Sequence, residues 1–89
     1  MQRFLKDPDA VLDFAVDWSD WLSDGETISS HTVTVQSGIT KDSDSESAGV
    51  VTVWLSGGTA GSTYEVTVQT VTSAGRTDDR TFTVMIIER

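Results

Sequence analysis

Residues 63–73 read TYEVTVQTVTS, and this stretch decides the fold class. Tyr64, Val66, Val68 and Thr70 alternate with the more polar side chains between them. A period of two places alternate side chains on opposite faces, as a half-buried strand requires, and it does not suit a helix. We therefore predict a strand here with the tyrosine and valines facing a core.

The same alternation extends to most of the chain. We predict further strands at residues 27–36, 50–55 and 81–87, and at 11–18, where helical spacing is also present and stays an alternative. Residues 37–49 hold few apolar side chains and are predicted to form a loop or a poorly paired edge. Val, Thr and Ile make up 28 of the 89 residues. Together these patterns predict an all-β fold, an immunoglobulin- or fibronectin III-like β-sandwich of about seven short antiparallel strands.

The chain length sets the domain organisation. Eighty-nine residues suffice for one small domain. The only proline, Pro8, lies in a short mixed segment and breaks backbone pairing. We therefore expect residues 1–10 to form a loosely held or partner-bound N-terminal arm and residues 11–89 to form a single sandwich domain.

The net charge excludes several kinds of partner. The formal charge is −8, and residues 1–47 carry ten acidic and three basic side chains. Such a surface repels phosphates, so we expect neither nucleic-acid binding nor contact with anionic membranes. No apolar run is long enough to cross a bilayer or to serve as a secretory signal. We expect a chain made in the cytoplasm that needs no cofactor.

Candidate catalytic and metal sites are weak. Asp42, Asp44 and Glu46 alternate as the first ligands of a calcium loop do, but Ser47 and Val53 stand where that loop needs Gly and Glu. A solvated acidic loop is the favoured interpretation, with no metal. The chain has one histidine, no cysteine and no Gly-x-Ser-x-Gly motif, so we do not expect an enzyme.

The aromatic residues are the candidates for core and interface. Trp18 shares a face with Phe14, so we predict that it fills the core. Trp21 and Trp54 are either core residues or, beside Met85 and Ile87, part of an exposed apolar patch. Tyr64 either bonds through its hydroxyl to the backbone of residues 58–61 or points to water. We treat Gly61 and Gly75 as structural turn glycines.

Several blocks of sequence resemble known families. Residues 64–68 (YEVTV) and 73–75 (SAG) resemble the end of a fibronectin type III domain. Residues 6–13 (KDPDAVLD), 17–22 (DWSDWL), 54–61 (WLSGGTAG) and 75–80 (GRTDDR) together are similar to fibre-tail adaptor or minor virion proteins of tailed bacteriophages and prophages.

The phage resemblance implies a virion structural protein that contacts other phage structural proteins in the tail, in fibres or at the head-tail junction. A homo-oligomer within the particle is an open alternative. The side chains expected at its interfaces are Phe4, Leu5, Trp21, Trp54, Arg76 and Arg80. A carbohydrate- or host-surface-binding module is the alternative function, in which Trp21 or Trp54 would stack on sugar rings.

Overall fold

Seven strands make up most of residues 2–88, the part of the chain that the computed structural model describes. They are β1 (Gln2–Lys6), β2 (Leu12–Asp17), β3 (Ile28–Val35), β4 (Ile39–Ser47), β5 (Val50–Gly57), β6 (Thr63–Thr72) and β7 (Thr77–Ile86). A four-stranded sheet has the order β1-β7-β6-β3, and a three-stranded sheet has the order β2-β5-β4. The predicted all-β sandwich is confirmed. No helix in the described residues is long and apolar enough to cross a membrane.

The core lies between the two sheets and is built from alternate residues of the inner strands. Val51, Val53 and Leu55 of β5 have no exposed surface, and they face equally buried valines of β6 and β7. Burying such a side chain stabilises the fold by roughly 1.5–3 kcal/mol relative to leaving it exposed. Residues 12–17 form a strand, so the helical alternative for this segment was wrong.

The N-terminal residues differ most from expectation. Residues 2–6, expected within an arm, form β1 and pair in parallel with β7, whereas the other strand pairs are antiparallel. The Phe4 ring packs 5.1 Å from Phe14 and 5.4 Å from Phe82, measured between ring centroids. Lys6 is completely buried, and its Nζ donates to the carbonyl oxygen of Gly57 at 2.7 Å. The polar residues of this segment did not suggest a buried strand. Lys6 can be buried here because backbone carbonyl oxygens accept its hydrogen bonds.

Residues 37–49 were predicted to form either a loop or a poorly paired edge, and most of them form an edge strand, β4. β4 pairs only with β5, and a bulge interrupts the register between Lys41 and Ser43. Beyond the bulge, Asp44 and Glu46 lie opposite the buried Val53 and Val51. Bulges and inward-pointing charges are common devices that keep an edge strand from pairing with other chains.

Candidate functional site

Two tryptophans and two arginines form a cluster at one end of the sandwich, which we call the Trp-Arg cluster (Trp18, Trp21, Arg76 and Arg80). Trp18 is fully buried. Its ring meets that of Trp21 edge to face, with centroids 5.3 Å apart. The guanidinium carbon of Arg80 lies 4.2 Å from the Trp18 ring, and that of Arg76 lies 4.2 Å from the Trp21 ring. Each pair has cation–π geometry.

Hydrogen bonds and an ion pair complete the Trp-Arg cluster. Nε of Arg76 donates to Glu26 Oε2 at 2.9 Å, and Nη2 donates both to Glu26 Oε1 and to the carbonyl of Trp21. These bonds from Arg76 are the main cause that lowers the pKa of Glu26 to about 2. Nη1 of Arg80 donates to the Asp17 carbonyl at 2.8 Å. Three of the predicted interface residues, Trp21, Arg76 and Arg80, thus tie the β2–β3 loop to the β6–β7 hairpin.

Tyr64 and Gly61 lie at the start of β6, away from the Trp-Arg cluster, whereas Gly75 lies in the turn after β6. The tyrosine is buried, and its hydroxyl accepts a bond from the Thr59 N–H at 3.1 Å. Hydrogen bonding to Thr59, first through its side chain and then through its backbone N–H, lowers the pKa of Tyr64. Gly61 has a φ of 88° and donates to the Ile86 carbonyl at 2.8 Å. Gly75 has a φ of 84° in the turn that connects β6 with β7, a conformation that favours glycine.

The structure does not bring Asp42, Asp44 and Glu46 together as ligands. Asp42 accepts from the Ser56 hydroxyl, Asp44 bonds to Lys41 and His31, and Glu46 accepts from the Gly49 N–H. The Lys41 bond is the main cause that lowers the pKa of Asp44. Within residues 2–88, no three His, Cys, Asp or Glu side chains are grouped as metal ligands.

Trp54 lies on the outer face of the three-stranded sheet and is 41% exposed. Residues on this face alternate with the buried ones, and the strand register sets their neighbours: Asp13, Trp54 and Ser43 form one cross-strand row, Ala15, Thr52 and Ser45 the next, and Asp17, Val50 and Ser47 the third. Trp54 is therefore the one large side chain among nine, surrounded by small and acidic groups. We call this surface the Trp54 face.

Of the two alternatives for Trp21 and Trp54, a shared apolar patch beside Met85 and Ile87 does not form. Met85 belongs to β7 of the other sheet, and Trp21 packs against the core in the Trp-Arg cluster. Leu5 is the exposed apolar residue beside Met85: the two are register partners, and Leu5 is 45% exposed. Phe4 points the other way, into the core.

Two polar contacts have no clear signal in the sequence. Nε2 of His31 and Oδ1 of Asp44 are 2.7 Å apart and connect β3 of one sheet to β4 of the other. Lys6 bonds to the carbonyls of Gly57 and Asp7 from a buried position, and burial lowers its pKa against the opposing effect of nearby carboxylates. The His31–Asp44 contact crosses between the two sheets, and the Lys6 contacts pair a charge with backbone oxygens. Residue spacing in the sequence predicts neither kind of contact.

One family of known proteins matches this chain. No curated protein matches the chain. A family profile described as "Podophage GP4 fiber-tail adaptor protein gp77" matches residues 6–85, nearly the whole sandwich. The match covers all four blocks that carry the phage resemblance, including the residues of the Trp-Arg cluster. The chain therefore belongs to the gp77 family of podophage fiber-tail adaptor proteins.

Proposed function

We propose that the protein is a non-enzymatic virion component, made in the host cytoplasm, that joins two neighbouring phage tail proteins through protein-protein contacts. Family membership supports a role as a structural adaptor in the tail. We further propose that its sandwich is immunoglobulin-like, because the orders β2-β5-β4 and β3-β6-β7 follow the strand orders B-E-D and C-F-G of immunoglobulin domains.

The observation that carries this proposal is the presence of exposed apolar side chains on both outer faces. Leu5 lies on the four-stranded sheet and Trp54 on the three-stranded sheet, and both are more than 40% exposed. Each side chain lies on the outer face of its own sheet, and packed sheets lie about 10 Å apart, so the two side chains point in opposite directions. A protein with one contact surface on each side can hold two neighbours at a fixed separation.

The shape and the internal contacts suit such a bridge. The chain measures 43 × 19 × 18 Å along its principal axes. The Trp-Arg cluster holds the β2–β3 loop with an ion pair and two stacked arginines. A rigid spacer keeps its two contact surfaces in a constant relative orientation. Because it is already ordered, it loses little conformational freedom when it binds.

The test is to mix the purified protein with each tail and fibre protein of the same phage and to measure complex masses by size exclusion with light scattering. Leu5→Ser should abolish binding to one neighbour, and Trp54→Thr should abolish binding to the other. Gln69→Ala serves as the control, since Gln69 is also exposed on the four-stranded sheet. Leu5 pairs with Met85, which pairs with Thr63 at the start of β6, whereas Gln69 lies near the other end of β6.

Two results would contradict the proposal. One is that the protein binds none of these proteins and is missing from purified particles. The other is that Leu5→Ser and Trp54→Thr weaken binding to the same single neighbour, which places both residues in one interface. A complex whose mass equals several copies of this chain alone would indicate a homo-oligomer instead.

A further inference from the structure

The protein has three tryptophans, and two of them carry an arginine from the same chain. Arg76 stacks on Trp21 and Arg80 stacks on Trp18, each at 4.2 Å from the ring. At Trp21 the arginine is held from two sides, because Glu26 accepts from its guanidinium while the ring lies beneath it. An aromatic face with a neighbouring carboxylate is thus a site that already holds arginine in this protein.

Trp54 has the same two components without the arginine. Asp13 is its direct cross-strand partner in β2, and such partners have Cβ atoms about 4.5–5.5 Å apart. Both side chains are exposed on the Trp54 face. Within residues 2–88, no arginine stacks on Trp54. The ring and the carboxylate are both available to a group from outside the chain.

We propose that Trp54 and Asp13 form the docking point for an arginine side chain presented by a partner protein. The guanidinium would stack on the indole ring and donate to the Asp13 carboxylate, as Arg76 does with Trp21 and Glu26. The inference rests on the proposed function for the identity of the partner as a neighbouring tail protein. It adds the chemistry that this partner must present, which is a basic surface.

The charge on the Trp54 face favours a basic protein over a second copy of this chain. The nine outward positions include Asp13 and Asp17 and no lysine or arginine. Two copies packed face to face would bring four carboxylates together within a protein whose net charge is −8. The small side chains around the tryptophan allow a flat partner surface to approach and exclude water from the contact.

Nuclear magnetic resonance on the full chain tests the site directly. We would record 15N spectra, in which each tryptophan has its own indole signal, while adding tetra-arginine to about 10 mM. We expect shifts of the Trp54 indole and of the amides of Asp13, Ala15 and Ser43, and we expect them to vanish at high salt. Tetra-glutamate and an oligomer of N-acetylglucosamine are the comparison ligands.

Three outcomes of this titration would overturn the proposal. The first is that tetra-arginine leaves the Trp54 indole signal unchanged at the highest concentration. The second is that it shifts only signals near Asp24 in the β2–β3 loop or near Glu46 in β4. The third is that the sugar oligomer shifts the Trp54 indole and the arginine peptide does not, which would indicate a glycan site on the same face.

Variants separate stacking from simple apolar contact. Trp54→Phe keeps an aromatic face, whereas Trp54→Leu keeps only apolar area. Against the neighbouring tail protein that binds this face, we expect Trp54→Leu to weaken binding about tenfold or more and Trp54→Phe to weaken it less. Asp13→Asn should weaken binding by about threefold, while Asp20→Asn, an exposed loop carboxylate, should not.

Equal affinities of the Leu and Phe variants would overturn the arginine site while leaving the adaptor proposal intact. The opposite combination is also distinguishable. If tetra-arginine binds at Trp54 but no tail protein does, the docking chemistry stands and the proposed function fails.

Discussion

At the scale of single residues, Glu26 shows how one carboxylate holds a loop in place. It accepts hydrogen bonds from Arg76 and from the Ser23 N–H. Together these bonds favour its ionised form and lower its pKa from 4.5 to about 2. Because the folded-state pKa lies below the usual value, the stabilisation is complete above pH 4.5 and is lost as the pH falls toward 2.

The prediction is that Glu26→Gln lowers the melting temperature at neutral pH and that the difference from the natural chain shrinks between pH 4.5 and 2. Thermal unfolding followed by circular dichroism over this range measures the difference. Asp24→Asn, an exposed carboxyl in the same loop, is the control and should leave the profile unchanged. A difference that is constant down to pH 2 would show that Glu26 stabilises the loop by packing and not by charge.

Single residues also show the limits of sequence patterns. The inward position of Trp18 follows from its spacing after Phe14 and Val16. The roles of Arg76 and Arg80 do not, because each arginine stacks on a ring more than 50 residues away in the chain. A pattern of alternate residues reports which face a side chain occupies but not what it meets across the core.

At the scale of elements, the β4–β5 hairpin contains the one non-glycine residue with a positive φ among those that the structure describes. Ser47 pairs with Val50, and the two residues between them, Ala48 and Gly49, have φ values of 52° and 85°. A two-residue hairpin with positive φ at both positions is the type I′ turn, which favours Asn-Gly. Alanine in this conformation costs about 1–2 kcal/mol because its Cβ crowds the following carbonyl.

We predict that Ala48→Asn raises the free energy of unfolding by about 0.5–1 kcal/mol, because asparagine tolerates this conformation better. Urea denaturation measures the change through the midpoint at constant slope. Gly49→Ala is the matched variant with the opposite sign, since an added Cβ would lie 3.2 Å from the Leu22 side chain. A lower midpoint for Ala48→Asn than for the natural chain would contradict the turn assignment.

The β1 strand is part of the folded sandwich. It supplies Phe4 and Lys6 to the core and pairs along five residues with β7. Deleting residues 1–6 removes the partly buried Phe4 ring, the buried Lys6 and the pairing with β7. We therefore expect it to lower the free energy of unfolding by about 3 kcal/mol or more. The measurement is urea denaturation of the truncated chain, with Phe4→Ala as a milder variant. Unchanged stability would restore the arm interpretation.

Element boundaries were predictable where alternation is strong and uncertain where it is not. β6 has nearly the predicted limits, because apolar and polar residues alternate without interruption. β7 begins at Thr77, four residues before the predicted start, since its first residues are polar but still pair with β6. β4 has little apolar content and is a strand only because β5 provides its hydrogen-bonding partner.

At the scale of the whole molecule, stability should differ between inner and edge strands. β5, β6 and β7 are paired on both sides, whereas β4 is paired on one side and carries mostly exposed serines and acids. We predict that amide hydrogens of Val53, Val66 and Val84 exchange slowest. Those of Ser43 and Ser45 should exchange about 100-fold faster, because local opening of an edge exposes little apolar surface. Exchange followed by NMR measures this, and equal protection in β4 and β5 would contradict it.

The sequence by itself determined the all-β class, most of the strands, the inward face of each and the resemblance to phage adaptors, because these depend on local alternation and on short blocks. Only the tertiary structure decided that the first residues form a sheet strand and that Arg76 and Arg80 each stack on a tryptophan of the same chain. It also decided that Trp54 and Leu5 lie on opposite outer faces. The physical reason is that pairing between distant strands satisfies backbone groups and charges irrespective of local pattern. The eight excess negative charges were visible in composition, but only strand register placed Asp13 beside Trp54.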